Sequence, residues 1–373
     1  MRFYRPTWAE INLKNLEYNF LQIKKRVAPG TKIMGTVKAD AYGHGLIPVA
    51  KRLKACGVDF FGVASIDEGI RLREAGIGTP VLILGLILRN DMAPLFKYNL
   101  STTVCEEELP RALNNMARKL GKRVNVQIKV DTGMGRIGVK YYDAHNLVVK
   151  ISKLKHINIE GIFTHFAFAD LNKEFTFYQI DLFDQLIKKL TKDGINIPLI
   201  HAANSMGLLS YKNSHFNMVR PGLITYGLYP KDNLKVKLRP VLSLKTRIVF
   251  IKDVFAGVGI SYGHDYVTKK ATRIATLPIG YGDGYPRNLT NKAEVLIGGR
   301  RFKMCGKICM DQIMVDLKDF KAKVADEVVL IGTQGKEKIT TEELALKSGT
   351  IPYEIVCGLG SRIPRVYKPK IGY

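Results

Sequence analysis

Cysteine is scarce in this chain, and its five copies stand apart: Cys56, Cys105, Cys305, Cys309 and Cys357 form no CxxC pair. An odd, dispersed set argues against a disulfide framework or a zinc ribbon, and no metal site is expected. Free thiols suit a reducing compartment, the cytoplasm. Long apolar runs are missing as well. The longest, Pro80 to Leu88, is too short to span a bilayer, and the opening Met1-Arg2-Phe3-Tyr4-Arg5-Pro6-Thr7 has no apolar signal-peptide core. No membrane partner is therefore expected. Low-complexity segments and solenoid repeats are absent, and tryptophan occurs once. Acidic side chains are the minority charge, 33 against 58 Lys plus Arg, a net +25. Such a balance suits nucleic acid or an anionic surface. The basic residues are spread along the chain without a basic aromatic module, however, so they read as a solvated surface that attracts anionic ligands, with no nucleic-acid partner.

What is present is the composition of a globular chain, 46% hydrophobic and 24% charged over 373 residues. That length allows two domains and a large core. The chain is organised around Thr36-Val37-Lys38-Ala39-Asp40-Ala41-Tyr42-Gly43-His44-Gly45. The apolar run from Ile33 to Val37, opened by Pro29-Gly30, predicts a buried strand, and Leu46, Val49, Ala50 and Leu53 recur at helical spacing after it. A lysine where a strand passes into a helix of an α/β fold sits where such folds place ligands. Partial desolvation there lowers the amine's pKa and makes it a nucleophile toward carbonyls. A solvated loop lysine is the competing reading of Lys38.

Residues 13 to 30 predict an amphipathic helix, with Asn12 as its cap and Leu13, Leu16, Phe20 and Ile23 on one face. Strands then alternate with helices. Strands are predicted at 33–37, 59–64, 81–84, 101–104, 124–130, 157–164, 199–203 and 216–219, and helical patterns include Asp67–Ala75, Glu106–Leu120, Tyr141–Leu154 and Phe175–Asp193. Eight strands with intervening helices fit a closed (β/α)8 barrel of the TIM type. Polar groups collect at the strand ends: Lys38; Lys129 with Asp131 and Arg136; His165; His201 with Asn204 and Ser205; Arg220 with Gly222. From residue 241 the runs Leu242–Ile251, Thr272–Leu277, Ala293–Ile297, Gln312–Leu317 and Glu327–Ile331, joined by Gly-rich turns, predict a mostly β domain. Thr341–Ser348 is the one convincing helix there. The expected layout is a barrel over 1–240 and a mostly β domain over 241–373.

Ser205 follows the seventh strand and Arg220-Pro221-Gly222 the eighth, where barrels commonly bind a phosphate. As a lone residue Ser205 also suits a helix cap. Val37-Lys38-Ala39-Asp40-Ala41-Tyr42-Gly43-His44-Gly45 resembles the pyridoxal phosphate attachment segment of the alanine racemase family, in which that lysine holds the cofactor covalently. Further matching motifs extend the resemblance over nearly the whole chain. It implies the same two-domain layout, in a head-to-tail homodimer whose active sites join the barrel of one subunit to the β domain of the other. It also implies that Ser205 and the amides of Gly222 and Leu223 hold the cofactor phosphate beside Asn204, with the hydroxyls of Tyr42 and Tyr353 completing its shell.

Val219-Arg220-Pro221-Gly222 resembles the segment whose arginine faces the pyridine nitrogen. Many pyridoxal enzymes place a carboxylate there and so keep the ring protonated, a strong electron sink. Arginine donates but does not accept, which disfavours transamination. Racemisation requires a base on each face of the α-carbon. The resemblance assigns these to Lys38, acting on D-alanine, and to Tyr262, in Gly259-Ile260-Ser261-Tyr262-Gly263-His264, acting on L-alanine from the partner subunit. A phenol needs neighbouring dipoles or cations to serve as a base. His165 matches the residue that bonds both that tyrosine and the arginine; as a lone histidine it also reads as a satisfied core residue. Arg136, in Asp131-Thr132-Gly133-Met134-Gly135-Arg136, resembles the arginine that touches the substrate carboxylate. Lys129 matches a position often carbamylated. Met310, in Cys309-Met310-Asp311-Gln312, resembles the partner-subunit residue whose amide meets that carboxylate. Tyr281, Arg287 and Asp170 match residues lining the entrance, and Tyr281 with Tyr353 narrows the pocket to a methyl side chain.

The resemblance thus implies interconversion of L- and D-alanine on lysine-bound pyridoxal 5'-phosphate, supplying D-alanine for peptidoglycan. A broad-specificity or serine racemase shares nearly every motif. A barrel decarboxylase is disfavoured by Arg220 and Tyr262. A non-catalytic cofactor-binding protein needs Lys38, Ser205 and Arg220 but neither Tyr262 nor the β domain.

Overall fold

The structure is a computed structural model, and it describes residues 4–231 and 234–369. The ends of the expected spans, residues 1–3 and 370–373, and residues 232–233 lie outside the described residues. Eight parallel strands, Lys32–Thr36, Phe60–Val63, Val81–Ile83, Ser101–Val104, Val124–Asp131, Ile157–Phe163, Leu199–His201 and Met218–Val219, neighbour one another in chain order. The last returns to the first, with Met218 opposite Lys32 and Val219 opposite Ile33. The seventh and eighth are tied by the amide of Asn217 to the carbonyl of Ile200 at 3.3 Å and that of Arg220 to Ala203 at 2.9 Å, so the sheet is a nearly closed barrel. Its lumen is packed by Met34, Phe60, Leu82, Phe163, Leu199 and Met218 rather than left as a pore.

Helices cover the outside because their apolar residues recur on one face. Lys173–Lys192 buries Ile180, Phe183, Leu186 and Leu190 and is capped by Asn172, whose side chain accepts from the amide of Phe175. The helix expected over 13–30 is Leu13–Lys24, capped by Asn12 as predicted. It stops early because its buried face ends at Ile23, and Lys24, Lys25 and Arg26 follow.

In the rest of the chain the strand order is Arg300–Lys303, Glu294–Ile297, Glu327–Gln334, Leu242–Arg247, Thr7–Asn12, Arg365–Lys368, and a separate three-stranded sheet joins Phe250–Val254, Thr272–Leu277 and Ile313–Lys318. The single run predicted over 242–251 is thus two strands in different sheets. The break comes where buried Ile248 donates its amide to Asp326 and Val249 turns its amide to Thr276. Thr7–Asn12, which carried no strand prediction, alternates buried Thr7, Ala9 and Ile11 with partly exposed residues and lies between Leu242–Arg247 and Arg365–Lys368. From Thr7–Asn12 in the second sheet the chain crosses to the barrel through Leu13–Lys24. Thr341–Ser348 is a helix with Thr340 as cap and left-handed Gly349 at its end, and Pro352–Cys357 forms a further short helix beyond the expected one. Among the described residues no helix is long and apolar enough to cross a membrane.

Candidate active site at the mouth of the barrel

The first strand ends at Thr36, and the chain then makes a turn that its side chains do not advertise. Ala39, Asp40, Ala41 and Tyr42 have φ of 53°, 51°, 55° and 54°, four successive non-glycine residues in the left-handed region, closed by Gly43 at 74°. Each costs about 1–2 kcal/mol relative to right-handed backbone, so long-range contacts must hold them. Asp40 donates its amide to Glu68 at 3.2 Å, its Oδ1 accepts the Leu46 amide at 3.0 Å, and Arg365 Nε donates to the carbonyl of Gly43 at 3.0 Å. The turn aims Lys38 into the barrel mouth. Burial, then the Arg136 cation, lowers the amine's pKa below its ordinary value, against the opposing pull of Cys357 and Glu68.

A cavity of about 490 Å³ opens there. Lys38, Tyr42, Lys129, Arg136, His165, Asn204, Ser205, Arg220, Gly222 and Tyr353 all line it, although they come from five strand ends, a loop and the helix Pro352–Cys357. Four of these side chains are basic, and among the described residues no carboxylate lines the cavity. It is built for anions.

One wall is shaped for a phosphate. Ser205 Oγ accepts the amide of Gly222 at 3.0 Å, and a Cβ at Gly222 would meet the Tyr42 hydroxyl at 2.6 Å, so only glycine leaves the space between them. Leu223, fully buried, opens the 3-10 turn Leu223–Tyr226 directly after Gly222. Tyr42 packs against Tyr353 at 5.7 Å between ring centroids. Burial raises both phenols, that of Tyr353 to about 12 with Asp170 next among the causes, so both stay neutral donors. Asn204 caps Ser205–Ser210 by accepting the Gly207 amide at 2.9 Å. Hydroxyls, backbone amides and a desolvated lysine in one anion-attracting cavity fit a phosphorylated aldehyde.

The cavity also holds a buried arginine. Arg220, 5% exposed, donates to His201 Nδ1 at 2.7 Å, to the carbonyls of Thr164 at 2.7 Å and Ala202 at 3.0 Å, and to His165 Nδ1 at 3.5 Å. Among the described residues no carboxylate pairs with it, and burial lowers its pKa to about 9. Its guanidinium lies over the Phe163 ring at 5.3 Å, and Lys129 Nζ lies over the same ring at 4.8 Å. Burial, then Arg220 and Arg136, lowers Lys129 to about 7 against the pull of Asp131. His165 is held well below the ordinary imidazole value by burial and by Arg220, and so is neutral. Arg136 sits in a loop that Asp131 ties down, its carboxylate accepting the amides of Gly133, Met134 and Gly135.

The remaining predicted residues fall elsewhere. Tyr262 and Met310 line a second cavity, of about 680 Å³, with Ser261, Cys309 and Gln312. They are 71% and 53% exposed. Tyr262 is presented by a turn whose neighbours Ser261, Gly263 and His264 all have positive φ. Tyr281 and Arg287 line a third cavity, of about 340 Å³. The amides of Tyr281 and Gly282 bond the carbonyls of Cys309 and Met310, which couples the second and third groups. Asp170 is tied through its backbone carbonyl, which accepts from Lys231 Nζ at 3.3 Å.

Sequence reasoning left out the support of Arg220. His201 Nε2 donates to Gln127 Oε1 at 2.8 Å, and Gln127 donates to Glu160 at 2.7 Å. His201 was visible as a strand-end polar group, whereas Gln127 and Glu160 read as ordinary strand residues. Their alternation with Ile128 and Ile159 was the available signal.

Residues 11–230 match the family model for the alanine racemase N-terminal domain, and residues 241–367 match that for the alanine racemase C-terminal domain. The chain is 50% identical to an alanine racemase of Halothermothrix orenii over 100% of this chain and 99% of the relative, and 44% identical to one of Carboxydothermus hydrogenoformans over 97% and 100%. Among solved structures it is similar to alanine racemase of Clostridium difficile 630 (TM-score 0.93, 42% identity, 98% of this chain and 96% of that one). It is also similar to alanine racemase of Bacillus anthracis with bound L-Ala-P (TM-score 0.92, 36% identity, 98% and 96%).

Proposed function

The chain belongs to the alanine racemase family, and from that membership we propose how its own residues interconvert L- and D-alanine with pyridoxal phosphate. The observation that carries the assignment is the cavity of Lys38, with four basic side chains and, among the described residues, no carboxylate on its walls. Both the cofactor phosphate and the substrate carboxylate are anions, and no acidic side chain is there to repel them.

Lys38 carries the cofactor through its amine, which burial keeps from holding its proton tightly. Ser205, the amides of Gly222 and Leu223, and the hydroxyls of Tyr42 and Tyr353 hold the phosphate, with Asn204 bracing Ser205. When bound, pyridoxal phosphate draws electrons from the α-carbon of the amino acid joined to it and so acidifies the α-proton. Arg220 would meet the ring nitrogen with donors only, since its N–H groups otherwise go to neutral acceptors. Arg136 receives the substrate carboxylate, and Lys129 sets the charge beside it.

Lys38 takes or returns the proton on one face of the α-carbon. Tyr262 does so on the other, from the partner subunit of a homodimer, with Met310 of the partner subunit at the carboxylate. Support for the dimer comes from the placement of Tyr262 and Met310, exposed and in a cavity other than that of Lys38 within one chain. Asp170, Tyr281 and Arg287 narrow the entrance, and His165 bridges Arg220 and Tyr262. The two units divide near residue 240, with Thr7–Asn12 built into the second. The enzyme works in the cytoplasm and supplies D-alanine for peptidoglycan.

The test follows α-proton exchange and inversion of L-alanine and L-serine in deuterated buffer, with wild type beside Lys38→Ala. Fast alanine inversion, slow serine inversion and an inactive variant are expected. Equal rates on both amino acids would overturn the substrate preference, and an active Lys38→Ala would remove Lys38 from its role.

A further inference from the structure

The left-handed turn that aims Lys38 is pinned by a residue outside the cavity. His44 is completely buried, and its Nδ1 lies 2.7 Å from the carbonyl oxygen of Tyr42 and 3.1 Å from that of Ala41. Carbonyls only accept, so Nδ1 carries the hydrogen and Nε2 bears the lone pair. Among the described residues Nε2 has no partner, and a second proton there would be a buried charge with no acceptor. The ring is thus a permanent neutral donor; burial holds its pKa near 4, although both carbonyl bonds pull it upward.

The same ring lies against Tyr226, 4.6 Å between centroids, and Tyr226 packs on Tyr42 at 4.9 Å. Tyr226 in turn donates its hydroxyl to the carbonyl of Thr36 at 2.9 Å, at the end of the strand that precedes Lys38. Both sides of the lysine are therefore fixed through one buried pair: Thr36 by Tyr226, and Ala41 and Tyr42 by His44. Without these bonds the four strained residues lose part of what offsets their left-handed backbone.

We propose that His44 is a positioning residue for the reaction: its Nδ1–H locks the left-handed turn and thereby sets where the Lys38 amine and the Tyr42 hydroxyl point. The proposal rests on the reading that Lys38 carries the cofactor, and it concerns a side chain that touches neither cofactor nor substrate.

The test uses the full chain carrying His44→Asn, His44→Leu or His44→Ala. Asn and Leu have the same branched shape and both lose the aromatic ring, but only Asn keeps an N–H near the Nδ1 position. Amide hydrogen exchange of residues 36–46 is measured without cofactor, and pyridoxal phosphate affinity by titration. Exchange about tenfold faster and affinity about tenfold weaker are expected for His44→Leu, with most of both restored in His44→Asn, as one lost buried hydrogen bond predicts. Should His44→Leu not fold, His44→Ala against His44→Asn makes the same comparison. Equal behaviour of the donor and non-donor variants would overturn the proposal. Borohydride trapping of the cofactor on wild type, followed by peptide mapping, separately tests Lys38: trapping at another lysine would sink that reading while the exchange result still decides the role of His44.

Discussion

Arg220 donates to Nδ1 of His201 at 2.7 Å, and this bond decides the tautomer of a fully buried imidazole. With Nδ1 accepting, the proton sits on Nε2 and goes to Gln127, which hands its own N–H to Glu160. The arginine is thereby oriented through neutral groups, with its charge undiminished by any adjacent carboxylate. Burial and Arg220 both lower the His201 pKa, so the ring stays neutral and the arrangement persists across the working pH range.

Replacing that arginine by an acceptor changes the chemistry it permits. Arg220→Glu is expected to slow alanine racemisation by about 100-fold or more, and to raise the pyruvate formed per racemisation event, because a carboxylate holds a proton on the ring nitrogen and favours transamination. Coupled assay of pyruvate beside chiral analysis of alanine measures both. An unchanged ratio would count against the role given to Arg220.

Lys38→Ala removes the amine proposed to tether the cofactor. After borohydride reduction and dialysis the variant should retain no covalent pyridoxyl group, and racemisation should fall by about 10³-fold or more. Mass spectrometry of the reduced protein reads the first outcome, and a stable adduct elsewhere would relocate the attachment site.

Tyr262→Phe should impair release of the α-proton from L-alanine more than from D-alanine, by about 10²-fold. Deuterium exchange followed from each enantiomer separates the two faces. Equal losses would argue that Tyr262 does not serve one face alone.

Lys129 gives a pH signature. Its folded pKa is lowered to about 7, whereas the unfolded chain titrates at the ordinary lysine value of 10.5. Between those values the unfolded state binds more protons than the folded one, so this group's contribution to stability grows as pH rises from about 7 toward 10.5 and is lost as pH falls toward 7. In carbonate-free buffer, the melting temperature of wild type minus that of Lys129→Met should therefore increase from pH 7 to pH 9. A flat difference would show that the lysine is not desolvated in its folded setting.

Arg5 tests the link between the amino terminus and the β sheet. Its guanidinium clasps Asp283, a completely buried carboxylate, with one bond at 2.7 Å. Arg362 at 3.5 Å and the amide of Gly280 at 3.0 Å also face that carboxylate. Arg5→Ala should cost about 3 kcal/mol, the lower end for breaking a buried pair because those two partners remain. Asp283→Asn in the same background should recover part of it, as read by denaturant unfolding.

Much of the barrel was legible because its signals are local. Short apolar runs such as Ile33–Val37 and Val81–Ile83 sit between turn residues, and helices such as Lys173–Lys192 repeat their apolar positions with a cap in front. A barrel aligns its strands, so the positions of Lys38, Ser205 and Arg220 after their strands already placed them at one mouth. Thr7–Asn12 was not legible as a strand, since its partners are more than 230 residues away. The split of the run over 242–251 was hidden for the same reason: Ile248 and Val249 look like more strand until Asp326 and Thr276 claim their amides.

The residue types at the site, their order, and the alternation of strands and helices belong to the one-dimensional pattern, because periodicity and turn chemistry act over a few neighbours. The handedness of the turn after Lys38, the neutral state of His44, the lowered pKa of Lys129 and the separation of Tyr262 from Lys38 belong to the folded molecule. No local propensity puts Ala39, Asp40, Ala41 and Tyr42 in the left-handed region. Burial and hydrogen bonds to Glu68 and from Arg365 and His44 do, and those partners come together only when the barrel and the second sheet have assembled.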